Sequence, residues 1–123
     1  MNDFSITEKI IGEAIFVHKQ LGPGLLESTY QNCLFHRLKK AGFSIVKGSP
    51  LPVFFDGIQI DCAYRLDMVV ESKVVLELKS VKKMKDIHLA QMITYLKLGG
   101  YSTGLLINFN VLKLVDGIKR VKI

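Results

Sequence analysis

The chain has 123 residues, 49% of them hydrophobic, and a formal net charge of +6 at pH 7. This length and apolar content suit one domain with its own core, which excludes a disordered chain and a miniprotein that depends on disulfides. The positive charge favours an anionic partner, with nucleic acid ahead of a membrane surface.

Two helices are predicted in the first third of the chain. Residues 1–4 lack a basic region followed by an apolar stretch, and no apolar run approaches 18 residues, so we expect no signal peptide, no membrane-spanning helix and no membrane partner. Ser5-Ile6-Thr7-Glu8 has the form of a capping box, and the helix after it should end at Gly22-Pro23-Gly24. A second helix is predicted over residues 25–40, with Gly42 as its C-terminal stop.

The middle of the chain reads as a series of β-strands. Segments rich in β-branched and aromatic residues occupy positions 43–46, 51–55, 58–64, 66–70 and 74–78. Asp56-Gly57 is a hairpin turn signal between the second and third of them. Glu71-Ser72-Lys73 separates the last two, which we expect to form another hairpin.

The last third adds one helix and more strands. Asp86 is a candidate cap for a helix over residues 87–98 that ends at Gly99-Gly100. Residues 103–109 form an apolar strand, and residues 111–115 and 118–123 are predicted to close the fold as a hairpin around Asp116-Gly117. This order of elements predicts a single α/β or α+β domain over residues 1–123, with helices packed on one sheet.

Three charged residues fall inside the apolar strands around Ser72. If Ser72 is the centre of an antiparallel hairpin, Asp67 lies directly opposite Glu77, and Lys79 projects from the same face. Two facing carboxylates repel each other unless a cation lies between them, and Mg²⁺ or Mn²⁺ with oxygen ligands meets that need. Beside such a metal, Lys79 would orient a water molecule or stabilise the charge that develops on a phosphodiester.

These residues also admit plainer interpretations. Asp67, Glu77 and Lys79 would equally suit a solvent-facing strand on which the lysine pairs with a carboxylate. Glu27 lies in the first turn of the second helix, where the helix dipole by itself favours a carboxylate. His88, Gln91 and Tyr95 share one face of the third helix, either as part of a site or as a solvent-facing stripe.

A motif at the start of the second helix resembles the signature of a known family. Gly24-Leu25-Leu26-Glu27-Ser28-Thr29-Tyr30 matches the signature G-x-x-E-x-x-Y, and the chain resembles the GxxExxY family, a branch of the PD-(D/E)XK nuclease superfamily. The similarity extends over nearly the whole chain and includes Val17-His18, Arg65-Leu66-Asp67, Glu77-Leu78-Lys79 and residues 91–96 and 105–109. Leu66 stands where the superfamily name places proline, although the backbone there does not need one.

The resemblance implies a restriction-endonuclease-like α/β core, a central mixed β-sheet flanked by α-helices. It also implies a nuclease that uses Mg²⁺ or Mn²⁺ and acts on DNA, or on RNA as the less favoured substrate. On the matching positions, Asp67 and Glu77 would be metal ligands, Lys79 the catalytic lysine, and Glu27 a further member of the metal shell. Gln91 would line the site as a catalytic group.

Further residues are candidates for the surroundings of the site. Tyr95 matches a helix position that lines the site and would contact nucleic acid, while Tyr30 of the signature would support it. His18 either supports the site near Glu27 or has a purely structural role in its helix, with its hydrogen bonds satisfied there. Lys82 and Lys83 either contact phosphates or lie in a solvated loop.

The competing hypothesis is a non-catalytic nucleic-acid-binding or protein-interaction module that retains the nuclease fold. It would be favoured if Asp67, Glu77 and Lys79 failed to converge, or if the lysine formed a salt bridge elsewhere. A homodimer is predicted by analogy with small nucleases that pair to cut two strands. Cys33 and Cys62 belong to no zinc motif and are expected to be buried or half-buried thiols in a reducing cytoplasm.

Overall fold

The computed structural model describes residues 1–61 and 64–123, in which three α-helices pack on a five-stranded sheet. The helices are α1 (Asp3–Leu21), α2 (Glu27–Lys40) and α3 (Asp86–Gly99). The strands are β1 (Ile45–Pro50), β2 (Val53–Phe55), β3 (Ile58–Ile60), β4 (Arg65–Val70), β5 (Val74–Lys79), β6 (Thr103–Asn108) and β7 (Ile118–Lys122). None of the helices in these described stretches combines the length and apolar content that crossing a membrane requires.

The sheet has the strand order β1-β4-β5-β6-β7. β5 and β6 run parallel and are connected through α3, whereas the other neighbours are antiparallel, so the predicted mixed sheet flanked by helices is confirmed. β2 and β3 form a separate hairpin in which Asp56 and Gly57 have φ of 52° and 78°, the paired positive values of a type I′ turn. The strand predicted over 58–64 ends at Ile60, and Cys62 lies outside the described residues.

Both faces of the sheet are covered by helices. α1 and α2 pack on one face, where Ile10 and Leu34 belong to the same buried cluster as Leu76. α3 packs on the other, where Met92 joins the cluster that contains Val75. Because β5 lies between two layers, residues 74–78 are all buried, as is usual for the central strand of such a sheet. Glu77 is therefore a carboxylate inside an apolar strand, which is costly unless another group compensates it.

The ends of the helices differ from the predictions in small ways. α1 starts before the predicted capping box, because the Asn2 side chain is the cap and its Oδ1 accepts the Ser5 N–H at 2.8 Å. α2 begins at Glu27, two residues later than predicted. Asp86 is the first residue of α3 rather than its cap, which is Lys85.

The predicted closing hairpin is wrong in its first strand. Residues 111–115 form no strand; the chain passes through a 3₁₀ turn at Leu114–Gly117, and β7 pairs antiparallel with β6 instead. Gly117 gives the reason, since a Cβ built there would lie 2.2 Å from the carbonyl oxygen of Asn108. Only glycine allows this close approach, which is a tertiary contact that local strand propensity does not report.

Gly24 lies in the connection between α1 and α2 with a φ of 94°, a backbone conformation that residues with a side chain rarely adopt. A Cβ there would meet nothing within 4 Å, so the cost of Gly24→Ala comes from the backbone conformation alone. We expect a loss of about 1–2 kcal/mol in the free energy of unfolding, measured by denaturant titration.

Gly12 supplies the matched control for that measurement. It lies within α1, and its Cβ would also meet nothing within 4 Å, so Gly12→Ala should stabilise the protein by about 1 kcal/mol. Equal free energies of unfolding for wild type and Gly24→Ala would show that the turn does not need glycine.

Candidate active site

The β4–β5 hairpin has the register that the sequence predicts. Val70 pairs with Val74 across a turn in which Glu71 and Ser72 both have a φ of 55°, unusual for residues with a side chain. Glu71 is held in place by Ser44: the Glu71 N–H donates to the Ser44 oxygen at 2.8 Å, and the Ser44 N–H donates to Glu71 Oε2 at 3.0 Å. Ser44, the residue before β1, thus anchors the turn on which the position of the facing carboxylates depends.

Asp67 and Glu77 converge beyond this paired segment. The Asp67 N–H donates to Glu77 Oε2 at 3.0 Å, and the Leu78 N–H donates to Asp67 Oδ2 at 2.8 Å. Each carboxylate therefore accepts an N–H of the opposite strand. Strand alternation places both on the same side as Val75, which packs against α3. The predicted convergence of the two side chains is confirmed, while their roles remain predictions.

Glu77 is unusual among the acidic residues because only 7% of it is exposed. Burial first, and then the charge and side-chain hydrogen bond of Asp67, raise the pKa of Glu77 from its ordinary value of 4.5 to about 8. The Asp67 N–H and the positive charge of Lys79 act in the opposite direction. An ionised pair at this position therefore calls for additional positive charge.

Lys79 lies half-buried at the end of β5. Within residues 1–61 and 64–123 it has no salt bridge to a carboxylate, although its charge reaches Glu77. The Phe109 N–H donates to the Lys79 carbonyl oxygen at 2.9 Å and fixes the backbone there. A non-catalytic module would be favoured by a salt bridge that holds Lys79 away from the site. The described residues form no such salt bridge.

Tyr95 faces the carboxylate pair from α3. Burial first, then the charges of Glu77, Tyr64 and Asp67, raise the pKa of the Tyr95 hydroxyl above its ordinary value of 10.0. The rings of Tyr64 and Tyr95 lie 6.3 Å apart between centroids. Gln91 is one turn earlier on α3 and exposed. Tyr64 was not predicted, because only the packing of α3 over β4 brings it here.

Asn108 is a second residue that sequence reasoning did not single out. It is opposite Lys79 in the β5–β6 register and only 2% exposed. Its Oδ1 accepts the N–H groups of Val81 and Asn110, both at 3.1 Å, and its Nδ2 donates to the Val81 oxygen at 2.9 Å. The amide thus holds the chain just after Lys79, from which the exposed Lys82 continues. The sequence signal that could have identified Asn108 was its position as a polar residue at the end of an apolar strand.

Tyr30 explains part of the signature in physical terms. Its side chain is fully buried, and its ring stacks on Phe109 at 4.5 Å between centroids. Its hydroxyl donates to the Gly22 oxygen at 2.6 Å and accepts the Leu25 N–H at 3.1 Å. Ser80 Oγ donates to the Leu25 oxygen at 2.6 Å. Tyr30 and Ser80 together hold the loop before Glu27 against the end of β5.

His18 and Glu27 stand apart from the carboxylate pair. His18 is buried, and its Nε2 lies 2.8 Å from the carbonyl oxygen of Val111, which supports the structural interpretation of this histidine. Glu27 is exposed in the first turn of α2. The described residues contain no group of three or more His, Cys, Asp or Glu side chains placed to hold a metal ion, so a third ligand at Glu27 remains a prediction.

The donor set of the pair fits a hard divalent cation. Both side chains offer carboxylate oxygens, and the buried one is costly to ionise without added positive charge. Mg²⁺ is commonly held by one or two carboxylates, with water and phosphate oxygens completing its coordination, so two ligands from the protein suffice. Asp67 and Glu77 are therefore the residues that could hold such an ion.

Comparisons with known proteins bear on this site. A family model described as the PD-(D/E)XK nuclease superfamily matches residues 4–121. No curated protein matches the chain, and no solved structure does. The family match spans all three helices and the sheet, and so includes the strands that carry Asp67, Glu77 and Lys79.

Proposed function

Because this chain belongs to the PD-(D/E)XK nuclease superfamily, we propose that it hydrolyses phosphodiester bonds in DNA and requires Mg²⁺ or Mn²⁺. The observation that carries the proposal is the convergence of Asp67 and Glu77 beside Lys79 on one face of the sheet. Two ionised carboxylates in an apolar sheet oppose folding unless a cation offsets their repulsion, so stability does not account for them. The signature from Gly24 to Tyr30 supports the GxxExxY branch.

Each central residue has a role that follows from its chemistry. Asp67 and Glu77 would hold the divalent cation through their oxygens. When bound there, such an ion lowers the pKa of coordinated water and offsets the charge of the phosphodiester. The Lys79 ammonium would donate to a phosphate oxygen, or orient the water that attacks phosphorus. The leaving sugar oxygen departs with a proton taken from water.

The surrounding residues would bind and position the substrate. Tyr95, which faces the carboxylates, would contact the nucleic acid, and Gln91 would line the same face of α3. Lys82 and Lys83 would contact backbone phosphates, which carry no sequence information. Tyr30 would keep Glu27 close to the end of β5, where that glutamate could join the metal shell. A homodimer and a cytoplasmic location remain predictions; the half-buried thiol of Cys33 is consistent with the latter.

Titration calorimetry with Mg²⁺ and Mn²⁺ tests the metal site directly. Wild type should bind the ion, whereas Asp67→Ala and Glu77→Ala should each lose binding, because either change leaves a single carboxylate. Asp116→Ala removes an exposed carboxylate outside the pair and should bind as wild type does. Each variant is then assayed for cleavage of single-stranded DNA, duplex DNA and RNA.

The assay separates the two functions considered above. Cleavage by wild type that disappears in both pair variants supports the nuclease. A folded wild type that cleaves none of the three substrates with either metal would support the non-catalytic module instead.

A further inference from the structure

A basic cavity lies between the end of β5 and the start of α3. It has a volume of about 750 Å³ and is lined by Val81, Lys82, Lys83, Lys85, Ile87 and His88. Three of these six side chains are lysines and none is acidic, so the cavity carries a local positive field that attracts an anion. The proposed nuclease function uses Lys82 and Lys83 without assigning a ligand to the cavity as a whole.

His88 contributes a hydrogen-bond donor to this cavity. Its Nδ1 lies 3.0 Å from the backbone nitrogen of Lys85, whose N–H can only donate. Nδ1 is therefore the acceptor, and the neutral ring carries its proton on Nε2. No second hydrogen bond to this ring is formed within the described part of the chain, which leaves the Nε2–H available to an anion.

One face of α3 connects the cavity to the carboxylate pair. His88, Gln91 and Tyr95 follow one another on that face, with His88 in the cavity and Tyr95 facing Asp67 and Glu77. The seven helical steps from His88 to Tyr95 span about 10 Å. At about 3.4 Å of rise per phosphate along one strand, this corresponds to two or three phosphates.

We propose that the cavity is a second phosphate subsite, which holds a backbone phosphodiester two or three nucleotides from the bond that is cleaved. The proposal rests on the proposed nuclease function and extends it to the length of strand that the protein grips. Lys85 and His88 join Lys82 and Lys83 as its contacts. A strand long enough to reach the cavity should bind more tightly than one that ends before it, whatever its base sequence.

The variants can be chosen so that α3 keeps its first turn. His88 is the third residue of the helix, the position from which glutamate or glutamine reaches back to the N–H of the residue before the helix. His88→Glu therefore retains an acceptor for the Lys85 N–H while placing a negative charge in the cavity. Lys85→Met removes one positive charge from the cavity, and Lys97→Met removes one from the exposed end of the same helix as a control.

Binding is measured without divalent metal, by fluorescence anisotropy, on single-stranded oligodeoxynucleotides of increasing length. Wild type should gain affinity once the strand reaches the cavity, and His88→Glu should lose about tenfold on long strands only. Lys85→Met should lower the slope of log K against log salt by about one relative to Lys97→Met. A neutral methylphosphonate placed two or three positions from the cleaved bond should weaken wild type and leave His88→Glu unchanged.

Equal losses in Lys85→Met and Lys97→Met, or a methylphosphonate that weakens wild type and His88→Glu alike, would overturn the subsite. Because the readout is binding, its failure is distinct from failure of the nuclease. A wild type whose affinity rises once the strand reaches the cavity, but that cleaves nothing, would refute only the proposed hydrolysis. A protein that cleaves nucleic acid, but whose affinity does not rise when the strand becomes long enough to reach the cavity, would refute only the subsite.

Discussion

Lys79→Met should lower the rate of phosphodiester cleavage by about a hundred- to a thousandfold and leave the fold intact. The lysine ends the buried strand β5 beside Asp67 and Glu77, and it is not held by a salt bridge in the described residues. Removing one preorganised donor to a developing negative charge has an effect of this size in other enzymes. Methionine keeps the unbranched apolar stem, so the half-buried part of the side chain still packs.

Single-turnover cleavage with saturating Mg²⁺ measures this effect apart from substrate binding. Lys122→Met is the matched control, because Lys122 is exposed and pairs with Thr103 at the start of β6. Lys79 pairs with Asn108 at the other end of that strand. The control removes the same charge and should retain the wild-type rate. If Lys79→Met cleaves as fast as Lys122→Met, Lys79 has no role in the proposed reaction.

Glu77→Gln should be more stable than wild type at pH 8 in the absence of metal, by on the order of a few kcal/mol. Burial and Asp67 raise the folded-state pKa of Glu77 to about 8 from an ordinary value of 4.5. Between these values the folded state binds more protons than the unfolded state, so wild-type stability falls as pH rises. Glutamine does not ionise, and its amide oxygen can still accept the Asp67 N–H.

Denaturant titrations at several pH values measure the difference in free energy of unfolding. The gain of Glu77→Gln over wild type should be absent below pH 4.5, grow between pH 4.5 and 8, and level off above. Glu27→Gln, on the exposed first turn of α2, gives the reference for losing a carboxylate from the surface. A gain that is the same at pH 4 and pH 8 would mean that Glu77 ionises without cost in the fold.

Several features followed from local rules and needed no tertiary structure. Alternation along a strand and the short turn at Ser72 sufficed to place Asp67 against Glu77, because both operate within a few residues. The glycine at position 24 and the Asp56-Gly57 hairpin likewise report backbone conformations that side-chain sterics restrict locally. The order of the elements was enough to predict one α/β or α+β domain with helices packed on a sheet, while the mixed character of that sheet was implied by the family resemblance.

Other features depend on contacts between residues distant in the chain, and only the tertiary structure decided them. The closing hairpin failed because Gly117 packs on the Asn108 carbonyl, and Tyr64 enters the site because α3 covers β4. The raised pKa of Glu77 has the same origin, since two layers of helix exclude water from β5. Residue types and their periodicity therefore determined which groups face each other on the sheet. Burial, which depends on what packs above them, decided how those groups ionise and what surrounds them.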